Sequence, residues 1–549
     1  RRNMAKYIFV IGGVMSSVGK GIVSSSIACI LKSKGYKVTA IKADPYINVD
    51  AGTMNPTEHG EVFVLNDGYE TDQDMGNYER FLDQDLTRDS YMTTGRVYQT
   101  IINKERNLEF GGKCVQVVPH VPEEIIRRIK SAAKQNHADI TVVEIGGTVG
   151  EYENLLFLEA AKMMKMENPK DVAYILVSYL PTPSKVGEMK TKPTQFASRS
   201  LNSAGIQADF IVCRAEAEID KKRREKLATF CMIPPQNAIS CPDVDSIYEV
   251  PLLFEKQKFG DKILDTLSLK IKPSKLNEWK KVVALASKAT DTIKIGVVGK
   301  YFATGNYVLS DSYISIIESI KIASWHENTN IEFEWIDSED FEKKKDSIKM
   351  LKNLNGIVVP GGFGSRGVEG KISVAKFARE NMIPYFGLCY GMQIATIEFA
   401  RSVAGLKKAH TEEIDPKTPD PVIHIMEEQK EKMAEKNYGG TMRLGAYDCK
   451  LTKGTISYDA YSPKSLISER HRHRFEFNNK YRSKFEKLGL IVAGVNPQKD
   501  LVEIIEVRDH PFFVGTQFHP EFKSRFLRPH PLFHSFIKAA IKHKIPKSG

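Results

Sequence analysis

The sequence contains few cysteines and no paired cysteine motif. Seven cysteines in 549 residues are scattered and odd in number, and none belongs to a Cys-x-x-Cys pattern. This spacing argues against a disulfide framework and against a zinc site, and it favours a reducing, cytoplasmic compartment.

Long hydrophobic runs are also missing. No apolar segment approaches the roughly 20 residues that a helix needs to cross a bilayer, and the N-terminus lacks the features of a secretory signal. We therefore expect no association with membranes. The hydrophobic content of 42% is typical of globular proteins, and a chain of 549 residues is too long for one core.

A basic arm is the third absence. The net charge of +11 is compatible with nucleic-acid binding, with polyanionic substrates such as nucleoside triphosphates, or with an ordinary solvated surface. Lysines and arginines are spread along the whole chain, which favours the solvated surface and gives no reason to expect a nucleic-acid partner.

A glycine loop near the N-terminus predicts a phosphate site. The apolar run 6–11 precedes the loop 12–21, and an amphipathic helix is expected from Ile22 to Lys34. In this order the loop N–H groups and the helix N-terminus cradle phosphates, and Lys20 would reach the β and γ oxygens. Gly21 replaces the usual Ser or Thr ligand of Mg²⁺, so the ion must find other oxygen ligands.

Acidic side chains follow in two places. A glycine-rich loop carries Asp72 and Asp74, and Glu144 ends a predicted strand at 140–145. A carboxylate at the C-terminal end of a strand lies where open α/β sheets bind ligands, so Glu144 is the stronger candidate. Acids in loops are often only solvated.

The C-terminal half carries the residue types of a thiol-dependent hydrolase. Cys389 lies in a Gly-x-Cys-x-Gly turn between an apolar run and a helix, which has the form of a nucleophile elbow. The helix N-terminus favours its thiolate. A glycine turn at 361–364 can aim N–H groups at an oxyanion, and His519 and Glu521 complete the logic of a nucleophile, base and acid triad.

Segments from both halves resemble the CTP synthase family, nearly end to end. In the N-terminal half they are GGVMSSVGKG, IKADPYINVDAGTMNP, HGEVFV, ETDQDMG, VEIGGTVG, GEMKTKPTQ and DVDSIY. The elbow and the His-Pro-Glu motif resemble the class I (triad) glutamine amidotransferases, and GGTMRLG and ERHRHRFE are similar to CTP synthases in particular.

The resemblance implies an α/β fold with two doubly wound domains. A P-loop (dethiobiotin-synthetase-like) synthetase domain would span residues 4–270, a linker 271–290, and a class I glutamine amidotransferase domain 291–549. Family members are carbon–nitrogen ligases that form homotetramers (dimers of dimers) and sometimes filaments. They phosphorylate the uracil 4-oxygen of UTP with ATP and Mg²⁺, and ammonia from glutamine then displaces the phosphate. GTP activates them, and CTP inhibits them.

The resemblance also assigns residues of the synthetase domain. ATP would contact Ser16, Ser17, Val18, Gly19, Lys20, Gly21, Ile22, Lys42, Arg214 and Asp243, and the Mg²⁺ ligands would be Asp74 and Glu144. UTP and the inhibitor CTP would contact Ser16, Glu151, Glu153, Lys190, Lys192, Gln195, Lys226 and Phe230.

In the amidotransferase domain Cys389, His519 and Glu521 would be catalytic, and Gly362, Gln393, Glu413 and Arg474 would bind glutamine. An ammonia tunnel joins the two sites in the family. Pro56 and His59 match its synthetase end, and His59 is the candidate gate.

The sequence departs from the family pattern in four places. Glu151-Tyr152 replaces Asp-Ile before Glu153, Cys241-Pro242 precedes Asp243, Tyr390 replaces a common Leu, and Thr411-Glu412-Glu413-Ile414 replaces Ser-Thr-Glu-Phe. The charged segment 427–436 has no derivable function and is predicted to be a solvated helix.

Two other functions fit parts of the sequence. A cobyrinate-type amidase also joins a deviant P-loop to a triad glutaminase, but the loop GEMKTKPTQ speaks against it. A partition-type ATPase that binds DNA or a membrane would suit the P-loop and the charge, but it leaves Cys389, His519 and Glu521 unexplained.

Overall fold

The computed structural model describes residues 5–185, 187–299, 310–343, 345–362, 364–426, 428–430 and 440–543. Phe363 of the glycine turn, the start of the GGTMRLG motif at Gly439, and most of the predicted charged helix 427–436 lie outside the described residues. The chain forms two compact units: Arg1–Ala51 with Asp74–Val283, and Gly52–Gln73 with Ala284–Gly549. We call them the N-terminal and the C-terminal unit.

The strands are β1 (Lys6–Gly12), β2 (Val38–Asp44), β3 (Phe63–Val64), β4 (Glu70–Thr71), β5 (Tyr91–Thr93), β6 (Ile140–Ile145), β7 (Val172–Tyr179), β8 (Phe210–Ala215), β9 (Ala238–Pro242), β10 (Asp291–Gly299), β11 (Thr329–Asp337), β12 (Gly356–Val359), β13 (Tyr385–Leu388), β14 (His410–Thr411), β15 (Pro421–Ile425), β16 (Arg443–Leu451), β17 (Leu466–His473), β18 (Phe475–Phe477), β19 (Leu490–Asn496), β20 (Leu501–Val507) and β21 (Phe513–Thr516).

The α-helices are α1 (Lys20–Ser33), α2 (Pro56–His59), α3 (Asp74–Leu82), α4 (Thr94–Arg106), α5 (Val117–Gln135), α6 (Leu155–Glu167), α7 (Lys192–Ser203), α8 (Lys221–Cys231), α9 (Val250–Lys256), α10 (Phe259–Thr266), α11 (Asn277–Lys288), α12 (Ile314–His326), α13 (Glu339–Lys343), α14 (Val368–Glu380), α15 (Tyr390–Ser402), α16 (Ile456–Tyr461), α17 (Arg482–Lys487) and α18 (Pro531–Lys542). Short 3₁₀ helices cover Arg88–Ser90, Pro169–Asp171, Pro235–Asn237, Ile247–Glu249, Ser310–Tyr313, Lys345–Asn353, Asn479–Tyr481 and Pro520–Lys523.

The N-terminal unit is built on a parallel sheet of seven strands in the order β5-β2-β6-β1-β7-β8-β9. Strands β2 and β6 are buried along their whole length, as expected for a parallel sheet covered on both faces, and most of their residues are apolar. Lys42 pairs in register with Glu144 across β2 and β6. The ends of these strands therefore bring the candidate phosphate and metal residues to one edge of the sheet.

The C-terminal unit contains a mixed sheet of nine strands in the order β11-β10-β12-β13-β21-β20-β19-β16-β17. Strands β10 to β13 and β21 run parallel, whereas β20, β19, β16 and β17 continue the sheet in antiparallel pairs. Leu388 pairs with Thr516 at the ends of β13 and β21. Smaller sheets are formed by β14-β15-β18 and by β3-β4.

The predicted fold class, two α/β domains with doubly wound sheets, is confirmed. The two units do not follow the order of the chain, because Gly52–Gln73 belongs to the C-terminal unit. Polar contacts hold this segment there: Glu61 accepts hydrogen bonds from the amide and hydroxyl of Ser315, and Arg470 donates to the carbonyl of Val64. In the described part of the chain no helix is long and apolar enough to cross a membrane.

Candidate active sites

Cys389 occupies a strained turn between β13 and α15 in the C-terminal unit. Its backbone has φ 51° and ψ −98°, a conformation that non-glycine residues rarely adopt. The flanking glycines make the turn possible: a Cβ atom at Gly391 would lie 2.1 Å from the carbonyl of Val359, and one at Gly387 would lie 2.6 Å from the backbone of Gly391. This is the geometry of a nucleophile elbow.

His519 and Glu521 lie next to the cysteine. Nδ1 of His519 is 2.7 Å from Oε1 of Glu521, and both residues are buried. Burial lowers the pKa of His519, but the charges of Glu521 and Cys389 outweigh it and raise the pKa to about 10. A protonated imidazole held by a carboxylate beside a sulfur is the arrangement that thiol-dependent acyl transfer needs.

A cavity of about 800 Å³ in the C-terminal unit contains this cluster. It brings together the three candidate catalytic residues and all four candidate glutamine contacts. Its lining residues are Gly52, Thr53, Pro56, Glu61, Val62, Ser312, Tyr313, Ile316, Pro360, Gly361, Gly362, Cys389, Tyr390, Gln393, Glu412, Glu413, Pro416, Met442, Arg472, His473, Arg474, Phe475, His519, Glu521 and Phe522.

The glycine turn at one wall of the cavity leaves room for a ligand. A Cβ atom at Gly361 would lie 2.8 Å from Cε1 of His519, whereas one at Gly362 would meet no atom of the described residues within 4 Å, its chain neighbours aside. Glu413 holds the turn, because its Oε1 accepts a hydrogen bond of 3.0 Å from the amide of Gly364. The Tyr390 hydroxyl donates to the carbonyl of Gly364 over 3.3 Å. Arg474 donates to Gln429 and Thr441.

Several residues of this cavity were missed from the sequence. Arg472, Glu61 and Gln517 lie in or beside it, and Gln517 Nε2 is 3.6 Å from Sγ of Cys389. The position of Gln517 directly before the Phe-His-Pro-Glu motif was visible, but no spacing rule connects it to a cysteine 128 positions away.

The N-terminal unit carries the second candidate site, at the loop between β1 and α1. Ser16 and Ser17 are exposed there, Val18 is buried, and Lys20 Nζ donates to the carbonyl of Gly147 over 2.9 Å. Burial lowers the pKa of Lys20, although Glu144 partly opposes this effect. Arg214 packs against Gly19 and forms a 3.0 Å ion pair with Asp243, so these two candidate ATP contacts adjoin the loop.

Lys42 joins the two candidate metal ligands. Its ammonium donates to Glu144 over 2.9 Å and also pairs with Asp74. Burial raises the pKa of Glu144 despite this cation, and Tyr78 donates to its second oxygen. A Cβ atom at Gly21 would lie 2.1 Å from Oδ1 of Asp74. The carboxylate of Asp74 thus occupies the space that a side chain at position 21 would need.

The comparisons with known proteins cover both units. The family model of the CTP synthase N-terminus matches residues 6–269, and that of the class I glutamine amidotransferases matches residues 308–539. CTP synthases of Caldanaerobacter subterraneus and Pyrococcus furiosus are each 50% identical to this chain, over 99% of it and 99% of each relative. The Bacillus subtilis CTP synthase is 47% identical over 98% of this chain and 99% of its own length. The chain belongs to the CTP synthase family.

A solved structure adds a further similarity. The glutaminase domain of Trypanosoma brucei CTPS with bound acivicin is 37% identical, with a TM-score of 0.42, and covers 47% of this chain and 97% of its own.

The candidate UTP and CTP residues lie on the surface of the N-terminal unit. Lys190 pairs with Glu188 over 2.8 Å, and Gln195 donates to Thr191. Arg223 connects the loop at Met189 to α8, the helix on which Lys226 and Phe230 are exposed four positions apart. Glu151 accepts from the amide of Thr148, and Tyr152 and Glu153 are exposed.

His59, the candidate gate, ends α2 in the C-terminal unit. Its Nδ1 atom lies 3.5 Å from a carboxylate oxygen of Asp72. Asp72 is 6% exposed, so it is not the solvated loop acid that the sequence favoured.

Proposed function

We propose that the chain converts UTP, ATP, glutamine and water to CTP, ADP, phosphate and glutamate. The cavity in which Cys389, His519 and Glu521 meet is the observation that carries this proposal, because it supplies the chemistry for releasing ammonia from glutamine. Similarity to CTP synthases along nearly the whole chain supports UTP as the acceptor.

In the glutaminase half-reaction, the thiolate of Cys389 attacks the side-chain amide carbon of glutamine. Backbone N–H groups of the glycine turn at 361–362 stabilise the developing oxyanion. The open space at Gly362 leaves room for it. His519 gives its proton to the departing ammonia, and then accepts one from the water that hydrolyses the glutamyl thioester. Glu521 holds the imidazole by its Nδ1 atom.

The remaining candidate contacts recognise the amino acid end of glutamine. Glu413, Gln393 and Arg474 line the same cavity and offer a carboxylate, an amide and a guanidinium. These groups complement the charged amino and carboxylate groups of the substrate. Gly362 contributes space in place of a side chain.

In the synthetase half-reaction, ATP binds at Ser16 to Ile22, and Lys20 and Lys42 neutralise its phosphates. Asp74 and Glu144 fit a magnesium ion, because both carboxylates approach the same ammonium group and oxygen is the ligand that Mg²⁺ prefers. When bound, the ion would neutralise charge on the phosphates. The transfer forms 4-phospho-UTP, from which ammonia displaces phosphate.

The nucleotide assignments complete the proposal. UTP is held by Lys190, Lys192, Gln195 and Lys226, and CTP overlaps it with contacts at Ser16, Glu151, Glu153 and Phe230. GTP acts as the activator, and the chain assembles as a homotetramer. The domain boundaries at 270 and 291 belong to the same proposal.

The test compares CTP formation by wild type and Cys389→Ala, with UTP and MgATP and with either glutamine or ammonia as the donor. The wild type should use both donors, whereas Cys389→Ala should use only ammonia. Absence of CTP with both donors in the wild type would contradict the UTP assignment. Glutamine use by Cys389→Ala would contradict the assignment of the nucleophile.

A further inference from the structure

Gln517 places a buried amide beside the sulfur of Cys389. Its Nε2 atom lies 3.6 Å from Sγ, and the residue is 1% exposed. The sheet explains this contact, because β13 and β21 are parallel and pair Leu388 with Thr516. Cys389 and Gln517, which follow these two residues, are therefore neighbours. The Cys389 amide also donates a 2.6 Å hydrogen bond to the carbonyl of Thr516.

The orientation of the Gln517 amide is fixed by a second glutamine. Nε2 of Gln393 donates to Oε1 of Gln517 over 3.3 Å and to the carbonyl of Phe475 over 3.0 Å. Because a donor engages the carbonyl end of Gln517, its NH₂ group is the end that faces the sulfur. Gln517 thus donates a hydrogen bond, and Gln393 keeps it in that orientation.

The other groups around the sulfur have different preferences. The carbonyl of Arg472, 3.8 Å from Sγ, can only accept a hydrogen bond, so it favours the thiol. An N–H donor favours the charged sulfur, and the effect is large where water is excluded. His519 also favours the thiolate, but only while it is protonated.

We propose that Gln517 is a further catalytic residue, a permanent hydrogen-bond donor that holds the Cys389 sulfur and stabilises its thiolate. This inference rests on the proposed role of Cys389 as the glutaminase nucleophile. His519 loses its proton to ammonia in the first half of the reaction. When water then displaces the sulfur from the thioester, the Gln517 amide still donates to the leaving thiolate.

The test measures the thiolate directly in the full chain. Iodoacetamide alkylates Cys389 at a rate that follows its ionisation, and peptide mass spectrometry reports the alkylation of this residue alone. Gln517→Leu removes the donor, and Gln517→Glu replaces it with a carboxylate of similar shape. The pH midpoint of alkylation should rise by about one to two units in Gln517→Leu, since a hydrogen bond to a charge has that strength, and further in Gln517→Glu.

Glutamine hydrolysis gives the second readout. We expect kcat to fall about tenfold to hundredfold in Gln517→Leu, because the sulfur loses its donor. KM for glutamine should change by less than about threefold, because Gln393 keeps its hydrogen bond to the carbonyl of Phe475. Gln498→Leu makes the same change at an exposed position outside the cavity and should match the wild type. Urea denaturation of the full chain shows whether each variant is folded.

An alkylation midpoint equal to that of the wild type in a folded Gln517→Leu variant would overturn the inference. If Gln517→Leu does not fold, an alkylation midpoint of Gln517→Glu at or below the wild-type value would overturn the inference. Equal losses of kcat in both variants without a shift of midpoint would mean that Gln517 only fills space. Failure of the proposed function is recognised separately, by glutamine hydrolysis in Cys389→Ala, while the midpoints still report the hydrogen bond.

Discussion

The guanidinium of Arg472 donates a 2.8 Å hydrogen bond to the carboxylate of Glu70, although the two residues are 402 positions apart. Both belong to the C-terminal unit, because Gly52–Gln73 folds into it. Glu70 is 2% exposed. The carbonyl of Arg472 lies 3.8 Å from Sγ of Cys389, so Arg472 contacts both the segment Gly52–Gln73 and the candidate nucleophile.

This ion pair should matter for stability and for glutamine hydrolysis. Arg472→Met leaves the Glu70 carboxylate buried without its cation, and we expect the free energy of unfolding to fall by about 3–5 kcal/mol. The double variant Glu70→Gln/Arg472→Met removes the unpaired charge and should recover most of that loss. Urea denaturation measures both effects, and equal stability of the single and double variants would show that the pair is not coupled.

Glutamine hydrolysis should decrease in Arg472→Met, because the ion pair with Glu70 no longer fixes the backbone of residue 472 beside Sγ of Cys389. The matched control is Arg482→Met, which breaks an exposed pair with Asp500. It should change the free energy of unfolding by no more than about 0.5 kcal/mol and leave the rate of glutamine hydrolysis at the wild-type value. An undiminished rate in a folded Arg472→Met variant would contradict this role.

Gly21→Ser should inactivate the synthetase site, although it restores the usual P-loop sequence. The added Cβ would lie 2.1 Å from the Asp74 carboxylate, so either the loop or the proposed magnesium ligand must move. We expect ammonia-dependent CTP formation to fall at least about a hundredfold, while Cys389-dependent glutamine hydrolysis persists. Increased CTP formation would mean that a serine hydroxyl and Asp74 can share the site.

A companion variant separates steric strain from chemistry. Gly21→Ser/Asp74→Ala relieves the clash, so its melting temperature should return towards that of the wild type. CTP formation should stay low, because a carboxylate has been lost. Recovery of activity together with stability would show that the Asp74 charge is dispensable.

Local sequence patterns predicted the elements that carry the candidate residues. The strand expected at 140–145 is β6, and the helix expected from Ile22 to Lys34 is α1 (Lys20–Ser33). The elbow at Cys389 was predicted because its two glycines each lie two positions from the cysteine in the sequence. Such patterns depend on contacts between near neighbours, which periodicity and turn residues record.

Contacts between distant positions could not be predicted in this way. The affiliation of Gly52–Gln73 with the C-terminal unit depends on Ser315, Arg470 and Arg472, which lie more than 240 positions further along. The contact of Gln517 with Cys389 depends on the parallel pairing of β13 and β21. Neither relationship leaves a spacing that a single sequence reveals.

His59→Ala tests the proposed gate. His59 pairs with Asp72 across 3.5 Å, and its loss removes the candidate group that restrains ammonia. We expect glutamate to form without an equal amount of CTP, so the ratio of CTP to glutamate should fall below one, whereas ammonia-dependent synthesis stays within about twofold of the wild type. Fully coupled synthesis in His59→Ala would contradict the gate, and the control is His326→Ala, at a half-buried histidine of α12 in the same unit.

Glu521→Gln should move the pH dependence of glutamine hydrolysis. In the wild type the pKa of His519 is raised to about 10, so the imidazole is protonated at neutral pH and can donate to ammonia. Without the carboxylate, burial lowers this pKa, and activity should fall at a lower pH on the alkaline side. An unchanged alkaline limb of kcat would show that Glu521 does not control the proton.

The same shift has a consequence for stability, with a defined sign. A group whose pKa is raised by folding stabilises the protein fully below its unfolded value, about 6.5 for histidine, and that contribution is lost as pH rises towards 10. The difference in unfolding free energy between wild type and Glu521→Gln should therefore be largest between about pH 5 and 6.5 and shrink towards pH 10. A difference that instead grows with pH would mean that Glu521 stabilises the unit through contacts other than the protonated His519.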